Sequence, residues 1–127
     1  EGFAPENVMI SAFIDDLPLQ LSASDLHISR SGALSTAETT MAGKAAIFIP
    51  SPNVTADHQY YNATAVADEG GAIIVRESDD ITDRVLSIVK ELDSDRDILK
   101  SMSEASRKVA PTEATDIIYK TVMETYR

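Results

Sequence analysis

The chain has no cysteine, so it can form neither a disulfide framework nor a zinc–thiolate site, which is compatible with a reducing cytoplasm. Histidine is scarce as well: His27 and His58 are its two imidazoles, too few for a histidine-rich metal centre. Basic residues are outnumbered, 11 Lys and Arg against 21 Asp and Glu, for a formal net charge of −10. That balance argues against nucleic-acid backbones and anionic membrane surfaces as direct partners. No apolar run approaches the roughly 20 residues that span a bilayer, so no transmembrane helix or signal peptide is read and a soluble chain is expected. Internal repeats and low-complexity linkers are absent. What is left, 127 residues of ordinary hydrophobic content, suits one domain with a real core.

The stretch Ser29-Arg30-Ser31-Gly32-Ala33-Leu34-Ser35-Thr36-Ala37-Glu38 follows an apolar run and opens a helical one. It has the character of a strand-to-helix turn built to hold an anion. Gly32 permits a tight turn, Ser31 and Ser35 can cap, and the first N–H groups of the helix face the place where a phosphate would sit. Glu38, one turn further on, can accept bonds from a vicinal diol such as a ribose. Ser35-x-x-Glu38 is equally a capping box, whose side chains satisfy backbone donors and bind nothing. Sequence spacing leaves both readings open.

Taken in order, Val8 to Phe13 is expected to be a short buried strand, reached from a start without an initiator Met, as in a chain that begins mid-domain. Asp15 and Asp16 stand where a helix cap is wanted, and Asp16 to Ser24 is expected to be a short helix with Leu17 and Leu21 on one face. The two carboxylates are caps by this reading, since nothing nearby completes a metal cage. Leu26 to Ser29 is the second strand, in which His27 is a packed or edge histidine and not a base. A helix from Ser35 to Ala42 ends at Gly43, and Ala45 to Ile49 is the third strand. This βαβ rhythm of continuous apolar strands and helices implies a parallel sheet covered on both faces.

Residues 50–57 form a loop at the C-terminal end of the third strand, where open parallel sheets bind ligands. His58, Gln59 and Asn62 open the next helix with donors and acceptors suited to sugar hydroxyls, or serve as a polar helix start under a mobile loop. Ala72 to Val75 is the fourth strand. Beyond it three helical stripes, the last through Ala114, Ile117, Ile118 and Val122, are expected to be core packing, the final helix being able to cross to another part of a larger protein.

Phe13-Ile14-Asp15-Asp16, Ser29 to Ser35 with Glu38, Ile49-Pro50, and His58-Gln59 with Asn62-Ala63 resemble, in this order and spacing, the C-terminal domain of the MurG family of bacterial N-acetylglucosaminyltransferases. The resemblance runs from about residue 8 to the end. It implies a partial Rossmann-like C-terminal half of a GT-B fold, α/β with about four parallel strands, flanking helices and a helical C-terminus. It also implies a partner, UDP-N-acetylglucosamine. Ile14 would meet the uracil edge and Leu17 would pack near the nucleoside. Ala33, Leu34 and Ser35 would present amides to the diphosphate, with Ser31, Thr36 and Ala37 of the same stretch counted as substrate-binding. Glu38 would hold the ribose, and His58 and Gln59 would contact the sugar. No metal and no cofactor is implied. Ser35 stands where the family often has Thr, which keeps the hydroxyl.

The implied reaction is an inverting transfer of N-acetylglucosamine to a lipid-linked acceptor in peptidoglycan synthesis, converting lipid I to lipid II, with the leaving UDP stabilised by helix N–H groups. Its setting is the cytoplasm, with the parent enzyme peripheral on the cytoplasmic face of the membrane. The family's N-terminal half, with its glycine-rich loops, acceptor site and membrane-facing apolar patch, is absent, as is an early Gly-Gly-Ser loop. Residues 1–127 are therefore expected to be a donor-binding domain truncated on its N-terminal side, inactive alone, without a catalytic residue and without direct membrane contact. The same residues would serve a stand-alone donor-binding subunit of a two-component N-acetylglucosaminyltransferase. A non-hydrolysing epimerase of the same fold, or an α/β interaction domain without ligand, are the other readings. In a doubly wound half of order 3-2-1-4-5-6, Val8 to Phe13 would be strand 3 and Leu26 to Ser29 strand 4. With strand 1 missing, the two are expected either to pair directly or to leave an edge through which the chain self-associates.

Overall fold

Ala45, Ala46, Ile47 and Phe48 are each fully buried, as a strand covered on both faces must be. In the computed structural model, which describes residues 6–126, they form the middle of a parallel three-stranded sheet. In chain order the elements are α1 (Leu17–Ala23), β1 (Leu26–Ser29), α2 (Ala33–Met41), β2 (Ala45–Phe48), α3 (His58–Ala67), β3 (Ala72–Ile74), α4 (Ile81–Ser94), α5 (Arg96–Lys108) and α6 (Ala114–Thr125), with a 3-10 turn, Thr55–Asp57, before α3. The sheet order is β1-β2-β3, with Ile28 beside Ile47 and Ile47 beside Ile73.

Because side chains alternate along a strand, β2 divides its four residues between two cores. Ala45 and Ile47 pack with Val75, Leu92, Leu99 and Met102 under α4 and α5. Ala46 and Phe48 pack with Ala63, Val66 and Ala72 under α3. Fully burying a side chain such as Ile47 or Phe48 contributes about 1.5–3 kcal/mol, so these two layers hold the α/β unit together. Asp16 caps α1 as expected, its carboxylate accepting from Leu19 N–H at 3.3 Å. Gly43, at φ +64°, lets Lys44 N–H return to the Thr39 carbonyl and closes α2.

Three expectations are corrected. Val8 to Phe13 is not a strand: Met9, Ile10 and Phe13 are 85%, 75% and 77% exposed, and no ladder includes them. An apolar run becomes a strand only where a neighbour accepts its hydrogen bonds, and in the doubly wound order two strands stand between strand 3 and strand 4. The sheet therefore has three strands among the described residues instead of about four, and direct pairing of residues 8–13 with β1 does not occur. Second, α2 begins at Ala33 with Gly32 as its cap, two residues before the expected Ser35. Third, α6 is not core: Ile117, Ile118 and Val122 are exposed and no residue of the helix is buried. A helical apolar period states that a helix has a greasy side and cannot state that this chain covers it.

Candidate anion and sugar site at the strand ends

The turns that follow β1, β2 and β3 lie together at the C-terminal end of the parallel sheet. Gly32, in extended backbone at φ −61° and ψ 156°, turns the chain from β1 into α2. The first bond within this helix runs from Thr36 N–H to the Gly32 carbonyl at 2.9 Å. The amides of Ala33, Leu34 and Ser35 precede it and have no intrahelical acceptor. Ala33 and Leu34 are exposed, so these donors face outward with the positive end of the helix dipole behind them. The capping-box alternative fails here, because Gly32 occupies the cap position and no side chain bonds to the helix start. Ser35 instead lies within the first turn, and Glu38 is half-buried one turn further on, with its carboxylate uncommitted to any cap.

Three residues of the stretch have their polar groups turned inward or committed within the helix. Ser31 is 0% exposed, and its hydroxyl donates to the Gln59 carbonyl at 2.7 Å. The amides of Thr36 and Ala37 are spent inside the helix. The Thr36 hydroxyl is buried without a partner beside a groove between α2 and α3 that Ala33, Ala37 and Asn62 also line.

After β2, the loop reaches α3 through Asp57, whose left-handed φ of 54° is uncommon outside glycine. Arg76 holds that corner, 3.8 Å from the Asp57 carboxylate and with its guanidinium 4.0 Å over the Tyr60 ring. His58 is exposed at the first position of α3. Gln59 is half-buried and its side-chain oxygen accepts from Ser51 N–H at 2.9 Å, leaving its amide NH2 to donate. Asn62 is partly spent, donating to the Ser31 carbonyl at 3.0 Å.

Arg30 ties the three strand ends together. It donates to the carbonyls of Ile49 and Pro50, each at 3.3 Å, and forms a two-pronged pair with Glu77 at 3.0 and 3.1 Å. Their hydrogen bonds raise the guanidinium above its ordinary pKa and lower the carboxylate. The pair is about half exposed, so it fixes geometry more than it stabilises. No local signal marks it, since its members stand 47 residues apart.

Ile14, 49% exposed, lines an open cleft of about 570 Å³ with Met9, Ile10, Phe13 and Asp16. The walls come from residues 9–20, so the cleft does not join Ile14 to the α2 turn. Leu17, half-buried, starts α1.

His27 is a packed strand histidine. Its Nδ1 lies 2.7 Å from Thr39 Oγ1, and because that hydroxyl donates to the Ser35 carbonyl at 2.6 Å, Nδ1 carries the proton in the neutral ring. Burial lowers its pKa from the ordinary 6.5, with the Glu38 carboxylate pulling weakly the other way. The native state thus holds neutral a ring that the unfolded chain would protonate. That stability is complete above the ordinary value and is lost as pH falls through the folded one. Relative to His27→Gln, the wild-type melting temperature should fall as pH drops from about 7.5 to about 5.5. Parallel curves for the two proteins would refute it.

Against known proteins, the family described as Glycosyltransferase family 28 C-terminal domain matches residues 1–119. A UDP-N-acetylglucosamine--N-acetylmuramyl-(pentapeptide) pyrophosphoryl-undecaprenol N-acetylglucosamine transferase of Caldicellulosiruptor saccharolyticus is 40% identical over 120 residues, 94% of this chain and 32% of that protein. The protein of the same description from Flavobacterium psychrophilum is 41% identical over 114 residues, 89% of this chain and 31% of that protein. The crystal structure of Acinetobacter baumannii MurG superposes with a TM-score of 0.76 at 33% identity, covering 88% of this chain and 32% of the other. The chain spans about a third of the length of the relatives it matches.

Proposed function

The chain belongs to the glycosyltransferase family 28 C-terminal domain family, and from that premise we propose that it is the donor-binding part of an enzyme that moves N-acetylglucosamine from UDP-N-acetylglucosamine to a lipid-linked muramyl-pentapeptide. The observation that carries this reading is the start of α2. There the amides of Ala33, Leu34 and Ser35 stand outside the helix ladder at the C-terminal end of a parallel sheet, with Glu38 left free of any cap. The amides hold the diphosphate and stabilise charge on departing UDP, Glu38 accepts from the ribose hydroxyls, Ile14 and Leu17 receive the nucleoside, and His58 and Gln59 read the sugar. Neither metal nor cofactor enters.

The acceptor site and the base that deprotonates the acceptor hydroxyl belong to the part of the relatives that this chain does not span, so the chain binds donor without turning it over. That part completes the sheet on the outer side of β1; without it, an unpaired strand edge favours self-association. No helix among the described residues is long and apolar enough to cross a membrane, and we place the parent enzyme at the cytoplasmic face, held there by its other half.

Calorimetric titration with UDP and with UDP-N-acetylglucosamine tests the reading. Both should bind. Gln59→Ala should weaken the nucleotide sugar by roughly five- to tenfold, about the worth of a net hydrogen bond, and spare UDP, because Gln59 follows a different strand from the phosphate turn. Equal weakening of the two ligands would contradict the placement of Gln59, and a chain that binds neither would overturn the donor site.

A further inference from the structure

Ser31 and Asn62 join the two turns of the site by a strap that neither turn contains alone. Ser31, the second residue after β1, is 0% exposed and gives its hydroxyl to the Gln59 carbonyl at 2.7 Å. In return Asn62, on the same side of α3 as Gln59, donates from Nδ2 to the Ser31 carbonyl at 3.0 Å. Gln59 in turn fixes the loop after β2 by accepting from Ser51 N–H at 2.9 Å. The hydroxyl and the carbonyl of Ser31 are thus both committed to the N-terminal part of α3. A carbonyl has two lone pairs, so Gln59 can take the Ser31 hydroxyl and still serve its own helix.

The consequence is geometric. Ser31 lies two residues before the first outward amide of α2, and Gln59 is one of the two residues assigned to the sugar, so the strap sets the distance between the anion-holding amides and the sugar-reading side chains. Packing of Ala63 and Val66 on Ala46 and Phe48 seats the body of α3 on the sheet, and the strap adds a direct polar link between the two turns themselves. We propose that Ser31 is a positioning residue for sugar selectivity, which holds Gln59 and His58 at the distance from the α2 turn that one sugar configuration requires. This rests on the donor-site reading above.

The test compares UDP, UDP-N-acetylglucosamine and the C4 epimer of that nucleotide sugar, titrated into the 127-residue chain as wild type, Ser31→Ala, Asn62→Ala and Gln59→Ala. Ser31→Ala removes one buried oxygen and leaves the Gln59 carbonyl its helical partner, so the fold should survive, and a urea melt of each variant reports it. The ratio of the dissociation constants for the two epimers should fall at least fivefold in Ser31→Ala, while UDP weakens less than threefold. Asn62→Ala should shift the ratio in the same direction. In the Gln59→Ala background, Ser31→Ala should change the ratio little further, because both act through the same contact. A role in folding alone would lower the melt and weaken all three ligands alike, which would overturn the proposal. An unchanged epimer ratio with UDP binding intact would overturn it while leaving the donor reading standing. A wild-type chain that binds no UDP would overturn both.

Discussion

Glu38→Ala is expected to remove most of the affinity of this chain for UDP, about 1–3 kcal/mol or roughly 5- to 150-fold, because two ribose hydroxyls lose a charged acceptor. The fold should hardly register the change. Gly32, not Ser35, holds the cap of α2, and no side chain bonds to the helix start, so removing the carboxylate leaves no backbone donor orphaned. The check is a titration paired with a thermal melt. A variant that binds UDP normally but melts early would return Glu38 to a structural role and remove the diol contact from the site.

Gly71→Ala should be the most damaging single methyl group in the chain. A Cβ built there would lie 2.7 Å from both the Cα and the N of Ser106, and 3.0 Å from its Cβ. These are mainly backbone atoms of α5, which cannot swing aside. Gly71 cannot retreat either, as its N–H is bonded to the Val66 carbonyl at 3.0 Å and its own carbonyl accepts from Ala46 N–H at 3.3 Å. Overpacking of this kind costs about 1–3 kcal/mol, and the upper end is expected where backbone meets backbone. Gly43→Ala is the contrast: its φ of +64° is strained for alanine, but the atoms in its way belong to the mobile end of the Arg107 side chain. In urea, Gly71→Ala should lose distinctly more stability than Gly43→Ala. The reverse order would mean that α5 can slide over the sheet.

How much of this was legible in the sequence depends on where the partners of each residue lie. Ala45 to Phe48 could be read as a buried parallel strand because both of its covers, α3 and α5, are encoded in the same chain, so burial and composition agree. The turn at Gly32 was legible for a local reason, since a strand, a glycine and a helix start are consecutive. Val8 to Phe13 has the same apolar composition as β2 and no ladder, and α6 has a clear helical stripe and no cover. In both cases composition records a burial that these residues do not achieve among themselves. The contacts of Arg30 with Glu77, and of Ser31 with Gln59 and Asn62, left no trace in spacing because they join residues 28 to 47 positions apart. Ser31 shows the cost: beside a helix-opening turn its hydroxyl reads as a ligand group, whereas in the structure it is buried and bonded to the Gln59 carbonyl.

The pairing of Arg30 with Glu77 and of Arg76 with Asp57 bears on how an anion reaches this crevice. Each guanidinium at the strand ends is matched by a carboxylate, and the chain as a whole carries −10. On the proposed reading, the diphosphate would be drawn by a short row of peptide dipoles, whose field fades within about a helical turn. Such a site would capture at contact and would not gather ligand from a distance, so encounter with a negatively charged nucleotide sugar would proceed without long-range attraction. Selection would then fall to how long each molecule stays, which the fit of ribose and sugar would decide after arrival.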